Sequence, residues 1–506
     1  MFSTELLAFI IYFAAVLAIG LVFFFKSKDA GEKEYFLGGR SMGPWVTAMS
    51  AQASDMSGWL LMGFPGSILA FGMGQAWIGI GLALGTIANW LLIARRLRRF
   101  SAAANDSITL PQYLSNRFAT KSRALQIICA VVFLVFFTIY VASSFVAGAT
   151  VFHDILGVDE GVAMLIFVAI LLAYTFLGGY KAVCWTDFFQ GLMMLVALLS
   201  IPVVVLITRD LNTELLDKVI VSADGTEYKF VNNLFSASWQ DIASGLAWGL
   251  GYFGMPHILV RFMGIKKSSM VKKSATVAIV WVILALLAAI LIAFFGRMIT
   301  NNEGVLVADK LLSTGSQKMI FIELARMIFP GFIAGLLMAA IIAAAMSTAD
   351  SQLLVASSSF TSDIYRPVFR KNASEKEALW VGRIVVIIVS VIAYFIASSK
   401  GSGAQAIMNM VENAWGGFGA AFGSVVILSV FWRRFTYKGA IAGVVVGAVV
   451  DVAWLLLLTK PTGVYELLPG FVASMIAAVV VTLLDKAPAE EVTDIYDRAV
   501  SADFDA

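Results

Sequence analysis

Thirteen runs of about 20 mostly apolar residues dominate this sequence, and a run of that length crosses a lipid bilayer as an α-helix. The chain has 506 residues, of which 14% are charged, against roughly 25% in water-soluble domains. The sequence therefore predicts an all-α polytopic membrane protein with no separate soluble domain. We number the predicted segments 1 to 13 along the chain, and they cover residues 5–25, 45–66, 72–94, 124–150, 161–179, 187–207, 237–259, 274–296, 323–352, 379–398, 404–431, 438–458 and 464–484.

The loops between these segments alternate in positive charge. RRLRRF follows segment 3 and WRRFTYK follows segment 11, whereas VFHDILGVDEG between segments 4 and 5 has no lysine or arginine. The positive-inside rule then predicts an N-terminus outside and a C-terminus in the cytoplasm. Residues 1–484 are expected to form a single transmembrane domain. Residues 485–506 are acidic and poor in apolar side chains, so we expect a disordered cytoplasmic tail.

Segments 2 and 7 carry helix-breaking residues at their centres. Segment 2 reads MSAQASDMSGWLLMGFPG, and segment 7 reads DIASGLAWGLGYFGMPH. Glycine weakens a helix, and Pro256 removes the donor that the Tyr252 carbonyl would otherwise meet. Two interrupted helices at corresponding positions are typical of transporters built on inverted repeats, here residues 45–207 and 237–431. The alternative is that small residues only let the helices pack closely.

Segment 9 places two hydroxyls and a carbonyl on one helix face. Ala344, Ser347 and Thr348 stand at positions i, i+3 and i+4 of GLLMAAIIAAAMSTADSQLL. Such hydroxyls often bond only the preceding turn, so the pattern alone is weak. Beside the freed carbonyls of segment 2, neutral oxygens with one nearby carboxylate would suit a hard monovalent cation rather than calcium.

Asp55 is the residue of segment 2 that most needs a partner, because an unpaired charge in hydrocarbon is costly. It can meet a cation and the backbone dipoles at the helix break, or an arginine or lysine from a distant helix. A transition-metal site is not expected, since His153 and His257 lie far apart in the sequence. Cys129 and Cys184 fall in or beside apolar runs, and we expect buried, inert thiols.

Long blocks of the chain resemble the sodium:solute symporter family. They include EYFLGGRSMGPWVTAMSAQASDMSGWLLMG, TFLGGYKAVCWTDFFQG, WGLGYFGMPHILVRFMG, AAAMSTADSQLL and NAWGGFGAAFGSVV. Within the family, the resemblance is strongest to the bacterial members that carry proline. It implies a LeuT-like five-plus-five inverted repeat with a leading extra helix and further helices at the end, in a bacterial cytoplasmic (inner) membrane.

The resemblance also implies roles for individual residues. The sodium site would be formed by the carbonyls of Ala53, Met56 and Ala344 and the hydroxyls of Ser347 and Thr348, with Asp55 needed for sodium-dependent transport. Proline would be bound by Tyr140, Trp248, Tyr252 and Pro256, while Ser57 and Gly58 influence the affinity for sodium and substrate. Arg40 would be linked to sodium coupling, and Asp187 would lie near the inner end of the cation path.

The residues themselves support the substrate part of this assignment. Trp248, Tyr252 and Pro256 recur every four residues and are expected to share roughly one helix face. Aromatic faces provide apolar area for the proline ring and attract its ammonium group. Packing is the ordinary explanation of such a stripe, and the resemblance favours binding. Two positions depart from the familiar pattern, Asp350 where a small residue is usual and Met255 where a glutamine is usual.

The predicted function is sodium-driven symport of L-proline by alternating access. The chain has no nucleotide-binding motif, so we expect neither an enzyme nor a protein driven by ATP. We expect no cofactor apart from co-transported Na⁺, no nucleic acid and no obligatory protein partner. The alternatives are a symporter of the same family for a sugar, a carboxylate or sialic acid, a cation channel, and a membrane sensor.

Overall fold

The computed structural model describes residues 4–26, 31–177, 179–400, 404–502 and 504. Each predicted segment coincides with helical structure. The helices of segments 1 to 13 are, in order, Thr4–Lys26; Pro44–Asp55 with Trp59–Phe71; Met73–Ala103; Ala124–Leu156; Glu160–Leu177; Tyr180–Thr208; Trp239–Ala247 with the 3₁₀ stretch Trp248–Phe253 and Pro256–Gly264; Val271–Gly296; Gly331–Phe369; Glu375–Lys400; Gln405–Phe431; Tyr437–Leu457; and Leu467–Leu484.

Shorter elements connect these helices. The two short strands form an antiparallel hairpin between segments 6 and 7. The connecting helices are Glu32–Leu37, Leu110–Arg117, Val307–Ser313, Ile320–Ile328 and Thr459–Thr462, and a last helix, Glu490–Val500, follows segment 13. The short 3₁₀ turns are Gly38–Arg40, Thr213–Asp217, Leu234–Ser236, Ser268–Met270 and Gln317–Met319. The strands are Ile220–Val221 and Glu227–Tyr228.

Ten helices in the described part of the chain are long and apolar enough to cross a membrane. Segment 5 is apolar but shorter, and segments 2 and 7 are divided by their breaks. Segments 9 and 11 lie deepest, since 83% of the most apolar window of each is buried, against 28% in segment 12. The first half of segment 2 packs against segments 6, 7, 8 and 9, which places its break inside the bundle.

Segment 9 begins later than the sequence predicts. The predicted start at residue 323 falls in the separate helix Ile320–Ile328, and the long helix begins at Gly331. Phe329 is extended, with φ −111° and ψ 150°, because the residue before a proline is disfavoured in the helical region. Pro330 therefore divides an apolar run that hydropathy alone joins.

The expectation of a disordered tail is wrong for the helix Glu490–Val500. The carbonyl of Val492 accepts a hydrogen bond from the buried Arg117, 3.0 Å away, and Tyr496 donates to the Phe431 carbonyl. Arg433 forms a two-point ion pair with Asp497, at 2.8 and 2.6 Å, and this bond lowers the pKa of Asp497. The helix Glu490–Val500 is ordered because basic residues near segments 3 and 11 hold it.

Candidate functional site

Segment 2 breaks immediately after Asp55. Met56 is fully buried and leaves the helical region, with φ −86° and ψ 79°, and the helix resumes at Trp59 with a π-helical turn. The Ser57 amide donates to the Asp55 carbonyl at 3.1 Å, outside the regular helical ladder. The predicted interruption is confirmed, and it lies where serine and glycine replace the apolar residues of an ordinary membrane helix.

Four of the predicted cation ligands meet across segments 2 and 9. The Ser347 hydroxyl donates to the Ala53 carbonyl at 2.8 Å and lies 3.2 Å from the Ala344 carbonyl. The Thr348 hydroxyl lies 3.4 Å from the same Ala53 carbonyl. All four residues are fully buried, and the helical spacing of segment 9 does bring both hydroxyls to one point. Met56, the fifth predicted ligand, follows three residues after Ala53 at the break.

Asp55 faces segment 7. Its Oδ2 accepts a hydrogen bond of 2.6 Å from the Tyr252 hydroxyl, while its buried Oδ1 has no hydrogen-bond partner among the described residues. Its carbonyl lies 3.4 Å from the Tyr140 hydroxyl and 3.5 Å from the Trp59 indole nitrogen. The partner of this carboxylate is thus a phenol of the predicted substrate site and not an arginine or lysine.

Segment 7 breaks in a different way. Residues Trp248–Phe253 form a 3₁₀ helix, Met255 is extended, and a new helix begins at Pro256, where a proline costs least. The Tyr252 carbonyl is free of helical bonding, as the proline predicts, and it accepts a hydrogen bond of 3.0 Å from the Asn89 amide of segment 3.

Buried aromatic rings surround this second break. Trp248 stacks on Trp415 of segment 11 and on Tyr465, with ring centroids 6.2 and 5.3 Å apart. Tyr252 meets Trp415 edge-on at 5.0 Å. The four-residue spacing assumes an α-helix, whereas this stretch has three residues per turn, so only the shared contact with Trp415 unites Trp248 and Tyr252. A cavity of about 300 Å³ is lined in part by Trp248.

Ser57 and Gly58 complete the break in segment 2. Ser57 is buried, and its hydroxyl lies 3.5 Å from the Trp59 amide. Gly58 lies against segment 4 so closely that a methyl group added to it would be 2.5 Å from the side chain of Ala147. Glycine is required there by space, since real carbon atoms do not approach to that distance.

A second polar cluster joins segments 2, 6, 7 and 9. The Oδ2 of Asp187 accepts from Ser50 at 2.7 Å and from Arg261 at 3.2 Å, and it lies 3.4 Å from the Ser351 hydroxyl. Arg261 also donates to Ser50, and both charged side chains are fully buried. Asp350 is buried too, without a hydrogen-bond partner for either oxygen in the described chain. Asp187 therefore belongs to an ion pair separate from Asp55.

Arg40 holds the loop before segment 2 to two other segments. Its guanidinium donates to Asp106 at 2.7 Å, to the Ser101 hydroxyl at 3.1 Å, to the Met263 carbonyl at 2.6 Å and to the Ser107 carbonyl at 2.9 Å. Met263 lies at the end of segment 7. The arginine thus connects the chain just before segment 2 to the C-terminal end of segment 7 and to the loop after segment 3.

Three residues of this site were not identified from the sequence. Asn89 and Trp415 donate to the carbonyls of Tyr252 and Trp248, respectively, and Arg261 pairs with Asp187. Arg261 is a charged residue just beyond the predicted end of segment 7 at residue 259, and that position is a usable signal. Asn89 and Trp415 lie in apolar runs of segments 3 and 11, and periodicity does not indicate which distant carbonyl they meet.

A helical membrane bundle in which two broken helices meet is the architecture of a secondary transporter. The chain belongs to the sodium:solute symporter family, whose sequence model matches residues 35–447. It is 41% identical over 505 residues to the sodium/proline symporter of Haemophilus influenzae, covering 99% of this chain and 98% of that protein. It is 42% identical over 479 residues to the high-affinity proline transporter of Bacillus subtilis, covering 94% of this chain and 97% of that protein.

The fold is also similar to that of a solved transporter, a Na⁺-coupled sialic acid symporter in a substrate-bound outward-open state. The TM-score is 0.76 with 19% sequence identity, and the match covers 96% of this chain and 98% of that structure. At this identity the likeness concerns the fold alone. The described helices therefore share the fold of that protein.

Proposed function

We propose that this protein is a sodium-driven symporter of L-proline that works by alternating access. The observation that carries the proposal is the continuous contact from segment 9 through segment 2 to segment 7. Ser347 bonds the Ala53 carbonyl, and two residues later Asp55 bonds Tyr252. The names of the relatives support proline as the solute, because both are called proline transporters.

Sodium is held by the oxygens that meet between segments 2 and 9. The carbonyls of Ala53, Met56 and Ala344 offer lone pairs, and the hydroxyls of Ser347 and Thr348 can turn theirs toward an ion. A hydroxyl that now donates to Ala53 loses that bond when the carbonyl binds the cation, but its own oxygen then becomes a ligand. Neutral oxygens with one carboxylate nearby suit a monovalent ion.

Proline occupies the region between the two breaks. Tyr140, Trp248, Tyr252 and Pro256 supply the walls, and Ser57 and Gly58 form the adjoining backbone. The zwitterion needs apolar contact for its ring, and aromatic faces also attract its ammonium group. The start of the helix Pro256–Gly264 suits its carboxylate, because the N-terminal end of a helix attracts negative charge.

Asp55 connects the two ligands. It lies two residues after Ala53, whose carbonyl would bind the cation, and its carboxylate accepts a hydrogen bond from Tyr252 of the proline site. Binding of either ligand therefore changes the conformation of the same few residues at the break in segment 2. The coupling is reciprocal, which means that sodium increases the affinity for proline by the same factor by which proline increases the affinity for sodium.

The transport cycle uses the family's repeat architecture. We propose thirteen membrane spans with the N-terminus outside, repeats at residues 45–207 and 237–431, and a location in a bacterial inner membrane. One charge crossing 100 mV contributes ~2.3 kcal/mol and a tenfold sodium gradient adds ~1.4 kcal/mol. At one sodium per proline, the limit of accumulation is on the order of several hundredfold. Arg40 and Asp187 stabilise the inner ends of the moving segments.

The test is proline uptake into vesicles that contain the purified protein. An inward sodium gradient should drive accumulation of labelled proline, and a sodium ionophore should abolish it. Unlabelled sialic acid, sugars and carboxylates should not compete. Competition by one of them in place of proline would assign a different solute, and sodium current that is independent of proline would indicate a channel.

A further inference from the structure

A group of carboxylates away from the proposed transport site lies between segments 11, 12 and 13. Asp451 of segment 12 is fully buried, and Glu466, just before segment 13, is 1% exposed. Neither oxygen of Asp451 has a hydrogen-bond partner in the described chain, and one oxygen of Glu466 has none. The other accepts a hydrogen bond of 3.2 Å from Thr459.

The side chains of Asp451 and Glu466 both approach Gly416 of segment 11. A methyl group added to Gly416 would lie 3.0 Å from the Asp451 Oδ1 and 3.4 Å from the Glu466 Cγ. On its other side Asp451 is packed against Gly470 of segment 13, where an added methyl would be 3.2 Å from the aspartate Cβ. Two glycines therefore leave room for the Asp451 side chain between the three helices, where it is fully buried.

No positive side chain neutralises this group. Within the described ranges, neither Asp451 nor Glu466 forms an ion pair with a lysine or arginine. The titratable side chains on the elements packed around them include Glu412 and Tyr465, which face the group. Tyr140 of segment 4 and Tyr252 of segment 7 direct their hydroxyls to Asp55, and Asp241 and Lys460 are exposed. Two close, buried carboxylates cannot both remain charged, because each strongly disfavours ionisation of the other.

From this geometry we infer that Asp451 and Glu466 form a proton-binding site, in which one proton is shared by the two carboxyl groups. A proton needs no cavity, whereas a metal ion needs several ligands around it. No group of three or more His, Cys, Asp or Glu side chains that could hold a metal occurs in the described chain. The chemistry therefore favours the smallest cation.

The site is connected to segment 7 and to a neighbouring cavity. Glu412 stands one helical turn before Gly416 and lines the cavity of about 300 Å³ that Trp248 also lines. Tyr465 precedes Glu466, donates a hydrogen bond of 2.8 Å to the Glu412 carbonyl and stacks on Trp248. Loss of the shared proton leaves two buried negative charges, which weakens the packing of segments 12 and 13 and displaces Tyr465 from Trp248.

The primary experiment detects the proton directly. Infrared difference spectra of the purified protein in lipid, taken between neutral and alkaline pH at constant sodium, should show loss of a protonated carboxyl absorption. Asp451→Asn and, separately, Glu466→Gln should remove that signal, while the exposed control Glu303→Gln should retain it. The proposal is overturned if both variants keep the signal, or if the signal follows sodium at fixed pH. Glu466→Gln alone decides the matter if Asp451→Asn does not fold.

Thermal unfolding gives a second readout that requires no transport. The stabilisation by a retained proton is full at low pH, where the unfolded chain is also protonated, and it is lost progressively as the pH rises to the point at which the folded protein releases the proton. The wild-type melting temperature should therefore fall toward alkaline pH, and Asp451→Asn should lose most of that fall. An unchanged fall in both variants would contradict the proposal. At alkaline pH the proline concentration that gives half-maximal uptake should rise, and this expectation rests on the proposed function. The infrared spectra and the melting curves do not depend on that function.

Discussion

Segments 2 and 7 are both broken and touch each other, but their freed carbonyls have different partners. In segment 2 the Ala53 carbonyl accepts from side-chain hydroxyls, which can rotate and offer lone pairs. In segment 7 the carbonyls of Tyr252 and Trp248 accept from the Asn89 amide and the Trp415 indole. An amide nitrogen and an indole nitrogen donate only, so they cannot join a cation as ligands.

This difference separates the tasks of the two breaks. Segment 2 can exchange its hydroxyl partners for an ion, so its backbone is suited to bind a cation. In segment 7, nitrogen donors already occupy the carbonyls, and the segment presents aromatic side chains, which suit an organic solute. Changes around segment 2 should therefore alter sodium dependence, and changes to the donors of segment 7 should alter stability instead.

The largest effect is expected from Asp55→Asn, which removes the carboxylate shared by the two breaks. A hydrogen bond to a charged group contributes about 1.5–3 kcal/mol, so the apparent affinities for sodium and proline should each fall roughly ten- to a hundredfold. Initial rates of uptake over a range of sodium and proline concentrations measure both. Asp210→Asn, an exposed position, is the matched control. Normal sodium dependence in Asp55→Asn would remove the proposed link between the segments.

Asn89→Ala tests whether the carbonyls of segment 7 are held by fixed hydrogen-bond donors and are not ligands of the cation. The substitution leaves the buried Tyr252 carbonyl without its donor, at a cost of about 1–3 kcal/mol in the free energy of unfolding. The melting temperature should fall while the half-saturating sodium concentration stays the same in the protein that remains folded. A large shift in sodium dependence would instead make the Tyr252 carbonyl part of the cation site.

Gly58→Ala tests the contact that holds the broken segment 2 against segment 4. The added methyl meets Ala147 at 2.5 Å, and overpacking of this kind costs about 1–3 kcal/mol. Uptake and melting temperature should both fall, and the second substitution Ala147→Gly should restore them by making room. If Ala147→Gly does not restore uptake, crowding against Ala147 is not the reason that this position requires glycine.

Much of this arrangement could be predicted from the sequence, because the relevant signals are local. Apolar runs locate the helices, Asp55 and Pro256 indicate the two breaks, and the helical period places Ser347 and Thr348 together. Each of these follows from residues within a few turns of one another. The break at Pro330 was missed because the apolar run continues on both sides of it.

The remaining features depend on contacts between distant parts of the chain. Nothing near Asn89 or Trp415 indicates that they bond carbonyls of segment 7, more than 150 residues away. The tail helix forms because Arg117 and Arg433 hold it, although its own composition is that of a disordered segment. The expected shared face of Trp248 and Pro256 assumed an α-helix, and the 3₁₀ geometry of that stretch depends on its packing.

The smallest expected effect is the most specific test of the cation site at the break in segment 2. Ser347→Ala removes one hydroxyl ligand and its hydrogen bond to Ala53, worth about 0.5–1.5 kcal/mol, so half-saturating sodium should rise about two- to tenfold. The control Ser358→Ala removes a hydroxyl of the same helix that bonds only its preceding turn, at Val355, and sodium dependence should not change. Because coupling is reciprocal, saturating sodium should restore normal proline affinity in Ser347→Ala. A proline defect that persists at saturating sodium would show that this hydroxyl serves the solute, and the division between the two breaks would then be wrong.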